Sequence, residues 1–235
     1  MPVTQINSTR EALAAATYQP DWFSARDAVN ASGVINYSSP STVGSAFSVS
    51  WQFGRNGPEY NVIRSYFYFD LSTISGTITA IDLYIRAQNG GLNNISVAIS
   101  GNGLAFGGNG SSALTPGEFD INGGMQNDYI NNQGVGWSAG SYNQFSLNAN
   151  AITDATNNQF LILQVIDFDF DYFNNDPTPG GPININGGFQ AFFPNYLSVT
   201  TAAAGYPNNV MGVTSANIDN VIGISTSNIN NVIGV

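Results

Sequence analysis

The chain reads as an all-β protein: a jelly-roll β-sandwich with a short N-terminal helix and a C-terminal array of three 11-residue repeats. Three observations lead there. Apolar and polar residues alternate over a succession of short segments between residues 35 and 201, the period of half-buried strands. Gly, Asn, Ser and Pro fill the gaps, and about eight strands joined by such loops suit two stacked antiparallel sheets. From Ala203 onward the sequence repeats itself three times.

In this reading residues 1–19 are an N-terminal arm, 20–201 the sandwich and 202–235 the tail. Ser8-Thr9-Arg10-Glu11 has the spacing of a capping box and precedes Ala12-Leu13-Ala14-Ala15-Ala16, a run of strong helix formers. A short helix is expected there, ended before Pro20. Asp21 to Ala31 has no decided pattern, the start of the first strand being one reading of it. Ala46 to Phe53 alternates strictly, which turns Phe47, Val49, Trp51 and Phe53 to one side. Val62–Asp70 and Ile78–Ala87 follow, separated by a Ser75-Gly76-Thr77 turn. The remaining strands are Asn94–Ser100, Tyr142–Leu147, Phe160–Phe173, Phe189–Phe193 and Tyr196–Thr201, with a helical turn at Ile152–Ala155. Gly101 to Gly140 has few apolar anchors and reads as surface loop.

The tail copies are Ala203–Val213, Thr214–Ile224 and Ser225–Val235. Their apolar positions, Ile218, Val221 and Ile222, then Ile229, Val232 and Ile233, are spaced i, i+3, i+4, which predicts one helical turn per copy. Val210 and Met211 hold the matching places in the first copy, where Pro207 replaces the isoleucine and is tolerated at a first helical position. Asn217 and Asn228 suit an N-cap, and Gly212, Gly223 and Gly234 suit the left-handed stop. A single turn cannot nucleate by itself, so its apolar residues must find cover on another surface. Docking or self-association is the expected use of the tail; the alternative, a disordered low-complexity segment, fits its composition but not its regular apolar spacing.

Composition removes whole classes of function. All five basic residues are arginines (Arg10, Arg26, Arg55, Arg64 and Arg86) against fifteen acids, for a net charge of −10. That leaves no basic stripe to track phosphates, so no nucleic-acid partner is expected. The chain has neither His nor Cys, so no Ser–His or Cys–His dyad, thiolate zinc site or disulfide can form. No segment suits a cleaved signal or a membrane span, so no membrane partner is expected.

The residues that remain able to carry chemistry are few. Asp167, Asp169 and Asp171 alternate along the expected last long strand, with Asp176 in the loop beyond. Calcium takes six to eight hard oxygen ligands and suits such a cluster; the same pattern also suits a solvated face whose like charges deter edge pairing. Glu59 and Glu118 are acids in Gly/Pro-rich stretches where a plain turn accounts for them, and no enzyme is expected. Arg64 and Asp70 fall on one strand about 20 Å apart and cannot pair with each other. Asp70 is placed to accept a hydrogen bond in the following turn. Trp51 falls among core positions. Trp137, flanked by glycines, stands out with Phe106 and Tyr142 as candidates to stack on a glycan.

Arg64-Ser-Tyr-Phe-Tyr-Phe-Asp-Leu-Ser-Thr-Ile74, followed by Gly76-Thr-Ile-Thr-Ala-Ile-Asp-Leu-Tyr-Ile85, resembles the core of disaggregatase-related (DNRLRE-like) and carbohydrate-binding-module-like jelly rolls. Phe193-Pro-Asn-Tyr-Leu-Ser-Val-Thr200 resembles their closing strand. The N-I-x-N-V-x-G-V units of the tail resemble C-terminal arrays of tailed-phage structural proteins, with Ile or Met where those arrays carry Asn before Gly. The resemblance implies a structural protein of a bacteriophage particle, a tail-fibre or head-decoration component. It would assemble with itself and with other virion proteins through Val210, Met211, Ile218, Val221, Ile222, Ile229, Val232 and Ile233. The alternative it implies is a glycan-binding module, with or without calcium, at a host surface.

Overall fold

The computed structural model describes residues 1–37, 46–86, 95–99, 105–119, 129, 140–167, 170–171, 174–177, 183–188, 194–202, 220–221 and 224–225. Two antiparallel sheets pack face to face. The smaller has the order β1 (Val3–Asn7), β11 (Tyr196–Thr201), β6 (Ile78–Arg86), β8 (Tyr142–Ser146). The larger, seven-stranded sheet runs β10 (Ile183–Gly188), β4 (Ala46–Gly54), β5 (Gly57–Asp70), β2 (Arg10–Gln19), β3 (Gly33–Tyr37). β9 (Phe160–Asp167) and β7 (Ile95–Ile99) complete it along the far half of β5. β5 thus has two partners on one edge: Gly57 to Ile63 pair with β4, and Ser65 to Asp70 with β9.

Alternation explains which side each strand buries. Phe67 and Phe69 of β5 and Leu161, Leu163 and Val165 of β9 meet Ile81, Leu83, Ile85, Phe145, Leu197 and Val199 of the smaller sheet. Each such side chain contributes roughly 1.5–3 kcal/mol on leaving water. Helix α2 (Ala149–Asn158) presses Ala151 and Ala155 onto this core. Asn148 caps it, accepting from the N–H groups of Asn150 and Ala151.

The larger sheet is buried on its other face as well. Ala12, Ala14, Ala16, Val49, Trp51, Tyr60, Val62, Tyr66 and Ile162 pack beneath helix α1 (Trp22–Arg26) and residues 105–119, which contribute Trp22, Ala25, Phe106, Leu114 and Phe119. Burial from both sides is why β9 is an almost unbroken apolar run.

Several expectations change, among them the surface loop expected over residues 101–140, of which residues 105–119 cover the larger sheet. The Ala-rich run at residues 12–16 is not a helix but the middle of β2, hydrogen-bonded to β5 on one side and β3 on the other. Small side chains at 12, 14 and 16 let the outer layer sit close, and tertiary pairing outweighs intrinsic helix propensity. Residues 1–19 are accordingly no detached arm, since they supply one strand to each sheet. Asp21 to Ala31 holds α1, capped by Asp21, which accepts from Ser24 N at 2.9 Å. Asn220–Val221 (β12), in the middle tail copy, pairs antiparallel with Ile224–Ser225 (β13), which spans the junction with the third copy, so Val221 sits in a strand pair and not in the expected helical turn. The tail positions Val210, Met211, Ile218, Ile222, Ile229, Val232 and Ile233 lie outside the described residues, as does the expected strand Phe189–Phe193.

Candidate functional site

The most elaborate polar arrangement is built around Arg64, whose side chain β5 turns away from the sandwich core into the outer layer. It is completely buried. Its Nε donates to Asp171 Oδ2 at 2.8 Å and its Nη2 to Asp171 Oδ1 at 2.7 Å, a two-pronged ion pair. Nη2 also donates to Arg26 O at 2.6 Å and Nη1 to Phe119 O at 2.7 Å, while the Phe119 ring lies 4.2 Å beneath the guanidinium. Burial works to lower the Arg64 pKa, but the Asp171 charge and its hydrogen bonds outweigh it and the net displacement is upward. One side chain therefore ties β5 to the end of α1, to the 116–119 turn and to the chain beyond β9.

That chain is held at further points. Asp167 Oδ1 accepts from Phe170 N at 2.7 Å, Asp171 O accepts from Arg26 Nε at 2.7 Å, Asn174 Oδ1 accepts from Trp22 Nε1 at 3.1 Å, and Pro177 O accepts from Trp51 Nε1 at 3.2 Å. β9 ends at Asp167, so the expected row of carboxylates along one strand does not extend to Asp171. Asp171 has both oxygens on Arg64, Asp176 is exposed, and Asp169 lies outside the described residues. Among the described residues no three acidic side chains gather as a cation site. Glu118 serves its own turn, accepting from Gly107 N at 3.2 Å and from Thr115 N. Asp70 accepts from Ser72 N at 2.9 Å, the turn role expected of it.

The glycan candidates separate. Phe106 is only 1% exposed and belongs to the outer core layer, so it cannot stack on a ligand. Trp137 lies outside the described residues. Tyr142 is half-buried on the solvent side of the smaller sheet, where it has company that the sequence reading missed. β6 and β11 alternate, sending Leu83, Ile85, Leu197 and Val199 inward and leaving Tyr84, Arg86 and Tyr196 on the outer face. Register sets Tyr84 opposite Tyr196, and Arg86 opposite Tyr142. The Tyr84 and Tyr196 rings stack at 4.8 Å and 10°, Tyr142 meets Tyr196 edge-on at 5.1 Å, and Arg86 lies 5.5 Å from the Tyr142 ring centre. Gln144, Asp82, Ser146 and Ser198 continue the same face, with Ser146 Oγ donating to Asp82 Oδ1 at 2.6 Å. Burial, then neighbouring charges, raises the Tyr84 pKa; burial and Tyr196 raise that of Tyr142 against Arg86. Both hydroxyls therefore stay protonated donors at neutral pH. Alternation carried the signal: two tyrosines on the polar phase of strands whose other phase is Leu, Ile and Val.

No protein-family model matches the chain, and no curated protein matches it either.

Proposed function

We propose that this chain is a non-catalytic structural module of a bacteriophage particle, a tail-fibre or head-decoration component with a jelly-roll body. Its tail repeats fasten it to further copies of itself and to other virion proteins. The observation that carries this reading is the triplicated 11-residue unit, in which Asn220–Val221 pair antiparallel with Ile224–Ser225 across the junction of the second and third copies, with only two residues in each strand. An isolated two-stranded hairpin is marginal in water even at greater length, and three copies in tandem gain by stacking or by pairing with a neighbour. Linked weak contacts then act through effective concentration. The test is the mass in solution of the full chain beside full-length variants carrying Val221→Asp and Val232→Asp. Oligomers that dissociate in the variants are expected; monomers throughout, with no retention on purified particles, would defeat the reading.

A second reading, a glycan-binding module at a host surface, is favoured by the Tyr84–Tyr196–Tyr142 cluster. Aromatic rings beside amides, a carboxylate and a guanidinium offer sugars both apolar contact and hydrogen bonds. Calcium, if it assists there, has to draw on acids other than Asp171.

A further inference from the structure

The chain passes from the smaller sheet to the larger through Ser8 and Thr9, and this crossing holds a buried polar cluster that neither reading uses. Ser8 N donates to Asn195 O at 3.1 Å, and Thr9 N to Tyr68 O at 2.9 Å. Ser8 Oγ donates to Glu11 Oε1 at 2.5 Å, and Asn195 Nδ2 donates to the same oxygen at 3.3 Å. Ser8, Glu11 and Asn195 are each 2% exposed or less. Among the described residues, Asn195 Oδ1 is a buried acceptor with no donor, an unfavourable arrangement unless something supplies a hydrogen. Both contacts to Glu11 fall on Oε1, as they do on the carbonyl oxygen of a neutral acid, which leaves Oε2 to carry the proton.

We propose that Glu11 is a proton-operated latch: as the neutral acid, its O–H donates to Asn195 Oδ1 and closes an acid–amide pair tying β2 to the head of β11, and loss of that proton to a base in solvent opens the tie. The strand released is β1, which among the described residues lies at the edge of its sheet and pairs only with β11.

Among the described residues the acid has no ion partner. Titratable groups on adjoining elements are Arg10 beside it on β2, Tyr37 opposite it on β3, and Tyr68 on β5, which pairs with Arg10. β1 and the head of β11 present Gln5, Asn7 and Asn195, all uncharged. Burial drives the Glu11 pKa up to about 7 against the opposing hydrogen bonds from Ser8 and Asn195. In the opened form the acid returns toward its ordinary 4.5. The closed form therefore holds the proton more tightly, and the latch is firmest below the lower value. Between the two values opening grows about tenfold per pH unit, and it levels off above the higher one after about 10²–10³-fold in all.

The experiment uses the full chain. Amide exchange at Gln5, Ile6 and Asn7, divided by the intrinsic chemical rate, is followed from pH 5 to pH 8 beside Glu11→Gln. The Gln side chain donates to Asn195 Oδ1 through Nε2 and has no proton to lose. The wild-type opening constant is expected to rise about a hundredfold across this range and the variant's to stay flat. In parallel, infrared titration of the wild type should show one carboxylic-acid carbonyl band persisting at pH 6, where ordinary carboxylates are ionised. Parallel pH profiles in the two chains, or no protonated carboxyl at pH 6, would overturn the proposal. If the variant does not fold, the infrared titration decides alone.

Discussion

Replacing Asp171 with Asn leaves the Arg64 guanidinium in full burial with two backbone carbonyls and without its directly paired carboxylate. Four of its five N–H donors are engaged, two of them by the carboxylate removed in this variant. Breaking one side of a buried pair costs about 3–5 kcal/mol, because the charge left behind has neither water nor partner. Arg64→Met errs in the other direction: it abandons the carboxylate and also removes the donors of Arg26 O and Phe119 O, at about 1–3 kcal/mol for each acceptor left buried. The double variant Arg64→Met/Asp171→Leu removes both charges, and its cost should fall several kcal/mol short of the summed single costs. The assay is urea unfolding of the four chains at pH 7, read as midpoint shifts at constant m. Against a total of about 5–15 kcal/mol such shifts are large. Salt to about 1 M should change the coupling little, since a buried pair escapes screening. A cost for Asp171→Asn under about 1 kcal/mol, or additive single and double costs, would refute the claim that this pair holds the outer layer to the sheet.

Two further outcomes follow from local geometry. Gly110 has φ +76° and a Cβ there would lie 2.5 Å from the Tyr68 ring, so Gly110→Ala should cost about 1–3 kcal/mol by thermal unfolding, whereas Ala at exposed Gly33, which meets nothing, should cost little. Tyr196→Ala removes the middle ring of the surface cluster and should cost about 0.5–1.5 kcal/mol in stability, with loss of any glycan-array signal if the second functional reading holds.

The two S/T-x-x-E spacings show how one local pattern takes two fates. Thr115 and Glu118 make the reciprocal cap of a short turn, with Glu118 accepting from Thr115 N. Ser8 and Glu11 have the same separation, yet their side chains bond each other inside the protein while the following alanines run as a strand. Nothing within residues 8–16 distinguishes these outcomes. The difference lies in β5 and β3, which offer β2 a hydrogen-bonding partner on each edge and so satisfy every backbone group that a helix would have satisfied internally. The tail teaches the same point in reverse. Three apolar residues at i, i+3, i+4 fit one helical turn, but β-branched Val221 fits a strand equally well, and it pairs with Ile224 where the middle copy meets the third.

Alternation by itself determined the phase of β4, β6, β8 and β11, because inward and outward positions in a strand are decided by its own period of two. Composition by itself removed histidine and thiol chemistry. The rest needed the folded chain. Which side chain answers Arg64 depends on a residue 107 positions away, and the second buried face of the larger sheet depends on residues 105–119 folding back over it. The tyrosine cluster exists only through the register of β6 against β11 and β8. Periodicity is a property of neighbours along the backbone, whereas charge pairing, layer coverage and cross-strand stacking are properties of neighbours in space, and no pattern within a short segment encodes them.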